Sequence, residues 1–182
     1  PQGDEHEARE EIDRLLSAAG WLVCDHDKAN LSAHRGVAIR EFPLPGHGFA
    51  DYLLYVDGKA CGVVEAKKQG ATLTGVEIQS ARYAQGLPAS LPAWHRPLPF
   101  LFESTGVETH FTNGLAPQPR ARGVFAFFRP ELLSDWLTYL PGAAGQPASN
   151  DEARTFLHRM RNMPQLADTR TMARVLEKLG AR

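Results

Sequence analysis

Only two cysteines occur in the 182 residues, and neither sits in a metal-binding pattern: Cys24 ends the apolar run "WLVC" and Cys61 lies in "ACGVV", with no C-x-x-C pair. This excludes a disulfide framework and a zinc ribbon. Buried free thiols in a reducing compartment are expected instead. No apolar run approaches the roughly 18 residues needed to span a bilayer, and no signal-peptide pattern is found, so a cytoplasmic protein with no membrane partner is expected. Charge of one sign is also missing, since 20 basic and 21 acidic residues leave a net charge of −1. A polyanion would have to be held by a local basic patch or by a partner, not by the field of the whole chain. The P-loop pattern G-x-x-x-x-G-K-[ST] is absent, which excludes an ATP-driven motor within these residues.

What is present suits a folded chain: 43% hydrophobic and 23% charged residues, in a length sufficient for one well-filled core. Residues 4–19 predict an amphipathic helix with Asp4 as N-cap, Glu7 in capping-box position and Gly20 as the stop. Ala8, Ile12, Leu15, Leu16 and Ala19 form its core stripe. Short strands are expected at Trp21–Cys24 and Val37–Phe42, and again on both sides of Asp57-Gly58. "TLTGVEIQSARYAQGL" predicts a helix capped by Thr74 with Glu77 and ended by Gly86 and Pro88. "PFLFES", "ETHFTN" and "GVFAFF" predict further strands, and Pro130 opens a helix in "PELLSDWLTYL". Residues 141–150, "PGAAGQPASN", have linker composition, and 151–182 are rich in helix formers and Arg. The fold class expected is α/β: a mixed β-sheet flanked by helices over 1–140, with a helical extension at 151–182.

The hairpin "FADYLLYVDGKACGVVEAKK", Phe49–Lys68, carries charge where buried strands should be apolar, with Asp51 on one arm and Glu65 and Lys67 on the other. Alternation puts Glu65 and Lys67 on one face. A two-residue turn at Asp57-Gly58 would pair Asp51 with Val64 and send the carboxylates to opposite faces. A three-residue loop, Val56-Asp57-Gly58 with a G1 bulge, or an equivalent bulge, would set Asp51 opposite Val63 with Glu65 as its diagonal neighbour. Asp-Gly suits either turn. Converging carboxylates repel unless a cation lies between them, and Mg²⁺ with oxygen ligands and retained waters suits such a pair. Lys67 could then orient or deprotonate an attacking water, or stabilise charge on a phosphate. The plainer alternative is a set of solvated strand-end charges, with Lys67-Lys68 guarding a sheet edge.

Asp51, Glu65 and Lys67 resemble the motif PD…(D/E)xK of a nuclease superfamily, with Ala50 where that motif carries proline. More narrowly, the chain resembles the N-terminal endonuclease domain of the R subunit of Type I restriction-modification enzymes. The match runs through "SAAGW" at Ser17–Trp21, "ADY", "VEAKK", Gln79 and Tyr83 as Q-x-x-x-Y, Pro99-Phe100, and Thr112-Asn113-Gly114. The resemblance implies a restriction-endonuclease-like fold and a Mg²⁺-dependent DNA endonuclease, with Mn²⁺ as a substitute. Asp51, Glu65 and the Ala66 carbonyl would hold the metal, and Lys67 would assist the attack. Gln79 and Tyr83, one helical turn apart, would support the site and contact the DNA backbone. An acid of the first helix, Glu5, Glu7 or Glu11, would join the metal site. The implied partners are double-stranded DNA, an ATP-using motor domain of the same polypeptide beyond residue 150, and separate methylase and specificity subunits.

Other residues invite plainer readings. Gln79 and Tyr83 alone would equally suit a helix bordering the core. His95 and His110 lack a positioned partner and are expected at the surface, and the three tryptophans in the core or an interface. Arg82, Arg96, Arg120 and Arg122 are candidates for phosphate contacts, with a solvated surface as the alternative. Two other functions fit the same residues. One is a stand-alone repair or recombination nuclease that cuts without ATP, and the other is a degenerate DNA- or subunit-docking module without specific Mg²⁺ binding.

Overall fold

The computed structural model describes residues 2–116 and 118–138, without the side chains of 2–5, 77 and 78. The expected linker at 141–150 and helical extension at 151–182 lie outside the described residues. The chain divides into two units after Thr138, and the first holds every element named below.

Helix α1 (Gln2–Ala18) starts two residues before the expected Asp4 cap. It ends as the sequence predicts: Trp21 N–H donates to Leu16 C=O at 3.0 Å and Gly20 N–H to Ser17 C=O at 3.0 Å, the paired bonds of a glycine-terminated helix. Ala8, Ile12, Leu16 and Ala19 are buried, while Leu15 is half-buried at the edge of the stripe.

Seven strands follow: β1 (Leu22–Asp25), β2 (Gly36–Leu44), β3 (Gly48–Val56), β4 (Lys59–Ala66), β5 (Phe100–Ser104), β6 (Thr109–Asn113) and β7 (Arg122–Val124). They lie in chain order in one sheet. The pairs β1/β2 and β4/β5 are parallel and the others antiparallel, so the expected mixed sheet is present. The extended segment "GVFAFF" holds its strand only to Val124, because Phe127 turns inward against Phe102, 5.3 Å between ring centroids, while Phe125 is fully exposed.

Helix α2 (Glu77–Gln85) links β4 to β5, and α3 (Pro130–Thr138) begins at its proline. Thr74 does not cap α2. Gly75 has φ +86°, outside helical space, so the helix begins two residues later with Val76 as its N-cap. On one face of the sheet Leu53, Tyr55, Val63 and Leu101 pack with Ala84 of α2 and Leu87 just after it. On the other, Tyr52 reaches α1, its hydroxyl donating to Asp13 at 2.8 Å. Strands covered on both faces read as continuous apolar runs, and β4 is buried from Ala60 to Glu65. β4 also lies between β3 and β5, so Lys67-Lys68 guard no sheet edge.

The hairpin turn is the two-residue one. Val56 pairs with Lys59, and Asp57 (φ 48°) and Gly58 (φ 78°) supply the two positive dihedrals of a type I′ turn. The three-residue loop does not form. Parity changes instead within β4, where Tyr55 pairs with Ala60 but Leu54 pairs with Gly62, leaving Cys61 as an extra residue. Leu53 then faces Val63 and Tyr52 faces Val64, a register that continues to set Asp51 directly opposite Glu65, not diagonal to it. The bulge falls where β4 changes neighbours. Ala60 bonds through N–H to Pro92 and through C=O to Trp94, whereas Gly62 pairs with Phe100 of β5. A side chain at Gly62 would place Cβ 2.3 Å from the Phe100 carbonyl oxygen, so this close approach requires glycine.

Candidate active site

The shifted register brings Asp51 and Glu65 together, with Lys67 two residues further along the same face. Gln79 and Tyr83, one turn apart on α2, face them across a cavity of about 190 Å³ lined also by Ala66, Arg9 and Phe49. Asp51, Glu65, Ala66, Lys67, Gln79 and Tyr83 therefore meet at one place.

Asp51 accepts the Ala66 backbone N–H on Oδ2 at 2.8 Å and an Arg9 guanidinium N–H on Oδ1. Glu65 is 3% exposed, and its Oε1 accepts from Lys67 Nζ at 2.8 Å. Its Oε2 is buried and receives no hydrogen bond. Burial raises the Glu65 carboxyl from an ordinary 4.5 to about 7; the Lys67 ammonium opposes the rise, and Asp51 adds to it through its charge and by accepting a hydrogen bond from the protonated acid.

Lys67 is fixed at both ends. Its backbone N–H donates to Ser104 C=O at 2.9 Å, and its ammonium donates to Gln79 Oε1 at 3.0 Å as well as to Glu65. Gln79 Nε2 in turn donates to the Tyr83 hydroxyl at 3.0 Å. The chain of donors sets the orientation of the Gln79 amide. It also leaves the Tyr83 proton and one ammonium N–H unused by these bonds. Next to this network, Glu103 on β5 pairs in register with Glu65, and Ser80 Oγ of α2 donates to it at 2.6 Å, pinning the helix over the site.

The donor set fits a hard divalent cation. An unpartnered buried carboxylate oxygen, a second carboxylate opposite it and a peptide unit at Ala66 meet at one cavity, and oxygen ligands are what Mg²⁺ selects. Among the described residues no cluster of three or more His, Cys, Asp or Glu forms a metal site, so the two carboxylates would be completed by backbone and water.

The acid expected from α1 is not found in the cavity lining: Glu7 is exposed and Glu11 pairs with Arg14, while the side chain of Glu5 lies outside the described residues. Arg9 stands there instead. Sequence reasoning missed it, as it missed Phe49; the available signal was the position of Arg9 beside Ala8 on the border of the core stripe. The Arg96 guanidinium is engaged within the fold, donating to the carbonyls of Leu87, Pro88 and Leu91. Arg82, Arg120 and Arg122 are exposed. His95 is exposed and His110 pairs with Glu108. Trp21 is in the core, Trp94 donates to Val56 C=O, and Trp136 packs on Phe100 and Phe128. Both cysteines are free, Cys61 buried and Cys24 half-buried. Among the described residues no helix is long and apolar enough to cross a membrane.

Residues 25–110 match the family model described as the Type I restriction enzyme EcoKI endonuclease subunit second domain. That stretch contains Asp51, Glu65, Lys67, Gln79 and Tyr83, and in it the chain is similar to the R subunit of Type I restriction enzymes. No curated protein gives a significant match. Among solved structures, a fragment assigned as the HsdR subunit of a type I restriction enzyme from Vibrio vulnificus YJ016 aligns with a TM-score of 0.54 and 21% identity, over 84% of this chain. The likeness is one of fold. The chain spans 28% of the length of that relative.

Proposed function

We propose that this chain carries the DNA-cleaving module of a Type I restriction enzyme R subunit, a Mg²⁺-dependent endodeoxyribonuclease. The observation that carries the proposal is the convergence of Asp51, Glu65 and Lys67 beneath Gln79 and Tyr83 around the unpartnered Glu65 oxygen. The family match over the same residues supports it.

In this reading Asp51, Glu65 and the Ala66 carbonyl hold Mg²⁺. The ion, when bound, supplies Lewis-acid stabilisation of phosphate charge and a more acidic water. Lys67, held as an ammonium donor by Glu65 and Gln79, directs its remaining N–H at the phosphate as negative charge develops in the transition state. Tyr83, whose hydroxyl already accepts from Gln79, donates its proton to a phosphate oxygen and fixes the strand without adding charge. Water attacks phosphorus and gives up a proton to solvent as one phosphodiester P–O bond breaks, the leaving alkoxide takes a proton from solvent to end as a hydroxyl beside a phosphomonoester, and the chain's fixed donors lose little entropy in meeting the transition state. With a net charge of −1 the chain offers little general attraction to DNA, so the motor domain and the methylase and specificity subunits supply affinity and site choice.

The test is plasmid cleavage by the complete R subunit with its partner subunits and ATP, comparing wild type with Asp51→Ala, Glu65→Ala and Lys67→Ala. Each substitution is expected to abolish cutting while ATPase activity persists. Normal cutting by all three variants would remove the assignment and favour a docking module.

A further inference from the structure

Asp51 reaches the cavity with both carboxylate oxygens engaged. Oδ2 is held by the Ala66 backbone N–H, which cannot move without breaking the end of β4, and Oδ1 is held by Arg9 Nη2. Oδ2 already has one lone pair committed to a fixed backbone N–H, so Oδ1 is the oxygen more readily offered to an ion, and a guanidinium and a divalent cation at contact distance on one oxygen repel. From these contacts we infer that Arg9 holds the cation's place on Asp51 and yields that oxygen when the ion binds, keeping Glu41 as its second anchor. The inference rests on the metal-site reading above.

Two observations make Arg9 the group that moves. Its side chain is 40% exposed on the surface of α1, so leaving Asp51 breaks no core packing. Its other nitrogen, Nη1, already donates to Glu41 Oε1 at 2.9 Å, and the Glu41 side chain is itself 68% exposed. Glu41 lies within β2 but has φ 48°, a left-handed conformation that a glutamate in a strand adopts only under constraint from its surroundings. The backbone distortion thus falls at the residue that tethers Arg9 from outside the cavity. A fork-shaped guanidinium can bridge two carboxylates and later keep one of them, which an ammonium does less well. Once released, the fork still borders the cavity and is available to a phosphate oxygen.

The test is calorimetric titration of the 182-residue chain with Mn²⁺ and with Mg²⁺, alongside circular dichroism to confirm folding. Arg9→Met, which keeps the aliphatic stem, is expected to bind either ion roughly tenfold more tightly, about the contribution of one charged hydrogen bond. Glu41→Gln is expected to weaken binding, because Arg9 then has only Asp51, and to have no effect in the Arg9→Met background. Unchanged or weaker binding by Arg9→Met overturns the inference and leaves the metal reading standing. An equal Glu41→Gln effect in both backgrounds overturns it too, by showing that Glu41 acts on the ion directly. If Asp51→Asn binds as tightly as wild type, the metal reading fails and the inference with it.

Discussion

Replacing Glu65 with glutamine is expected to stabilise the protein while destroying the activity proposed for it. Glu65 is 3% exposed, its Oε2 has no partner, and its carboxyl is raised by burial to about 7 from an ordinary 4.5. The sign follows from the protons. Below pH 4.5 both folded and unfolded chains hold the proton and there is no penalty. Between 4.5 and 7 the unfolded chain releases it while the folded one retains it, so stability falls as pH rises and levels off above about 7. At 1.36 kcal/mol per pH unit the full interval amounts to about 3 kcal/mol. The raised value already includes the favourable Lys67 contact, and glutamine resembles the protonated acid in shape and charge. Glu65→Gln should therefore unfold about 3 kcal/mol harder than wild type at pH 8, with Tm higher by roughly 10 °C for a chain of this size. The two should be nearly equal at pH 4.5. Urea titrations at the two pH values, without divalent ions, give the comparison. Equal or lower stability of the variant at pH 8 would refute the reasoning, since the carboxylate would then be compensated within the fold.

The same proton would govern the proposed metal binding: because an ion held by Glu65 needs the ionised carboxylate, Mg²⁺ affinity should fall about tenfold per pH unit below about 7 and be flat above it, as calorimetry across pH would show. A pH-independent affinity would remove Glu65 from the ligand set. Gly62→Ala forces Cβ to within 2.3 Å of the Phe100 carbonyl oxygen, and a loss of about 3 kcal/mol is expected in urea denaturation. Gly58→Ala meets no atom within 4 Å but has φ 78°, so about 1–2 kcal/mol is expected there. A smaller effect at Gly62 than at Gly58 would argue against the close approach. Tyr83→Phe keeps the ring and loses the donor; single-turnover cleavage by the assembled enzyme should drop roughly tenfold to a hundredfold at unchanged Mg²⁺ affinity.

Much of the site was legible because its signals are local. Asp57-Gly58 specifies a tight turn, Glu65 and Lys67 share a face by alternation, and Gln79 and Tyr83 share one by helical spacing. What decides whether Asp51 joins them is not local. The extra residue at Cys61 falls where β4 passes from the 92–94 segment to β5, and no window around the hairpin contains those partners. Of the two devices the sequence allows, the three-residue turn and an equivalent bulge, the bulge is the one that forms. Thr74 was misread as a cap for the opposite reason: Gly75 takes a positive φ that a helix start cannot use, a backbone preference glycine permits without announcing. Arg9 escaped notice because a long cation on the flank of an apolar stripe usually points to water. Only the fold shows it reaching Asp51 and Glu41, residues 42 and 32 positions away.

Two buried acids lie side by side in the sheet and meet different treatment from the helix above them. Glu65 and Glu103 pair in register on adjacent parallel strands and are almost equally buried, at 3% and 1% exposure. α2 passes over both but treats them differently. Above Glu103 it places Ser80, whose hydroxyl donates at 2.6 Å; one residue earlier it places Gln79, which turns to Lys67 and leaves Glu65 Oε2 buried without a donor. A partner for that oxygen was within reach of the fold, as Ser80 demonstrates, at one step of the same helix. Leaving that carboxylate without a donor is expected to cost about 3 kcal/mol of stability at pH 8, and a docking surface would gain nothing from it. A cation bound there would recover that energy, which is why the donor-free oxygen, more than the motif that contains it, supports the proposed metal site.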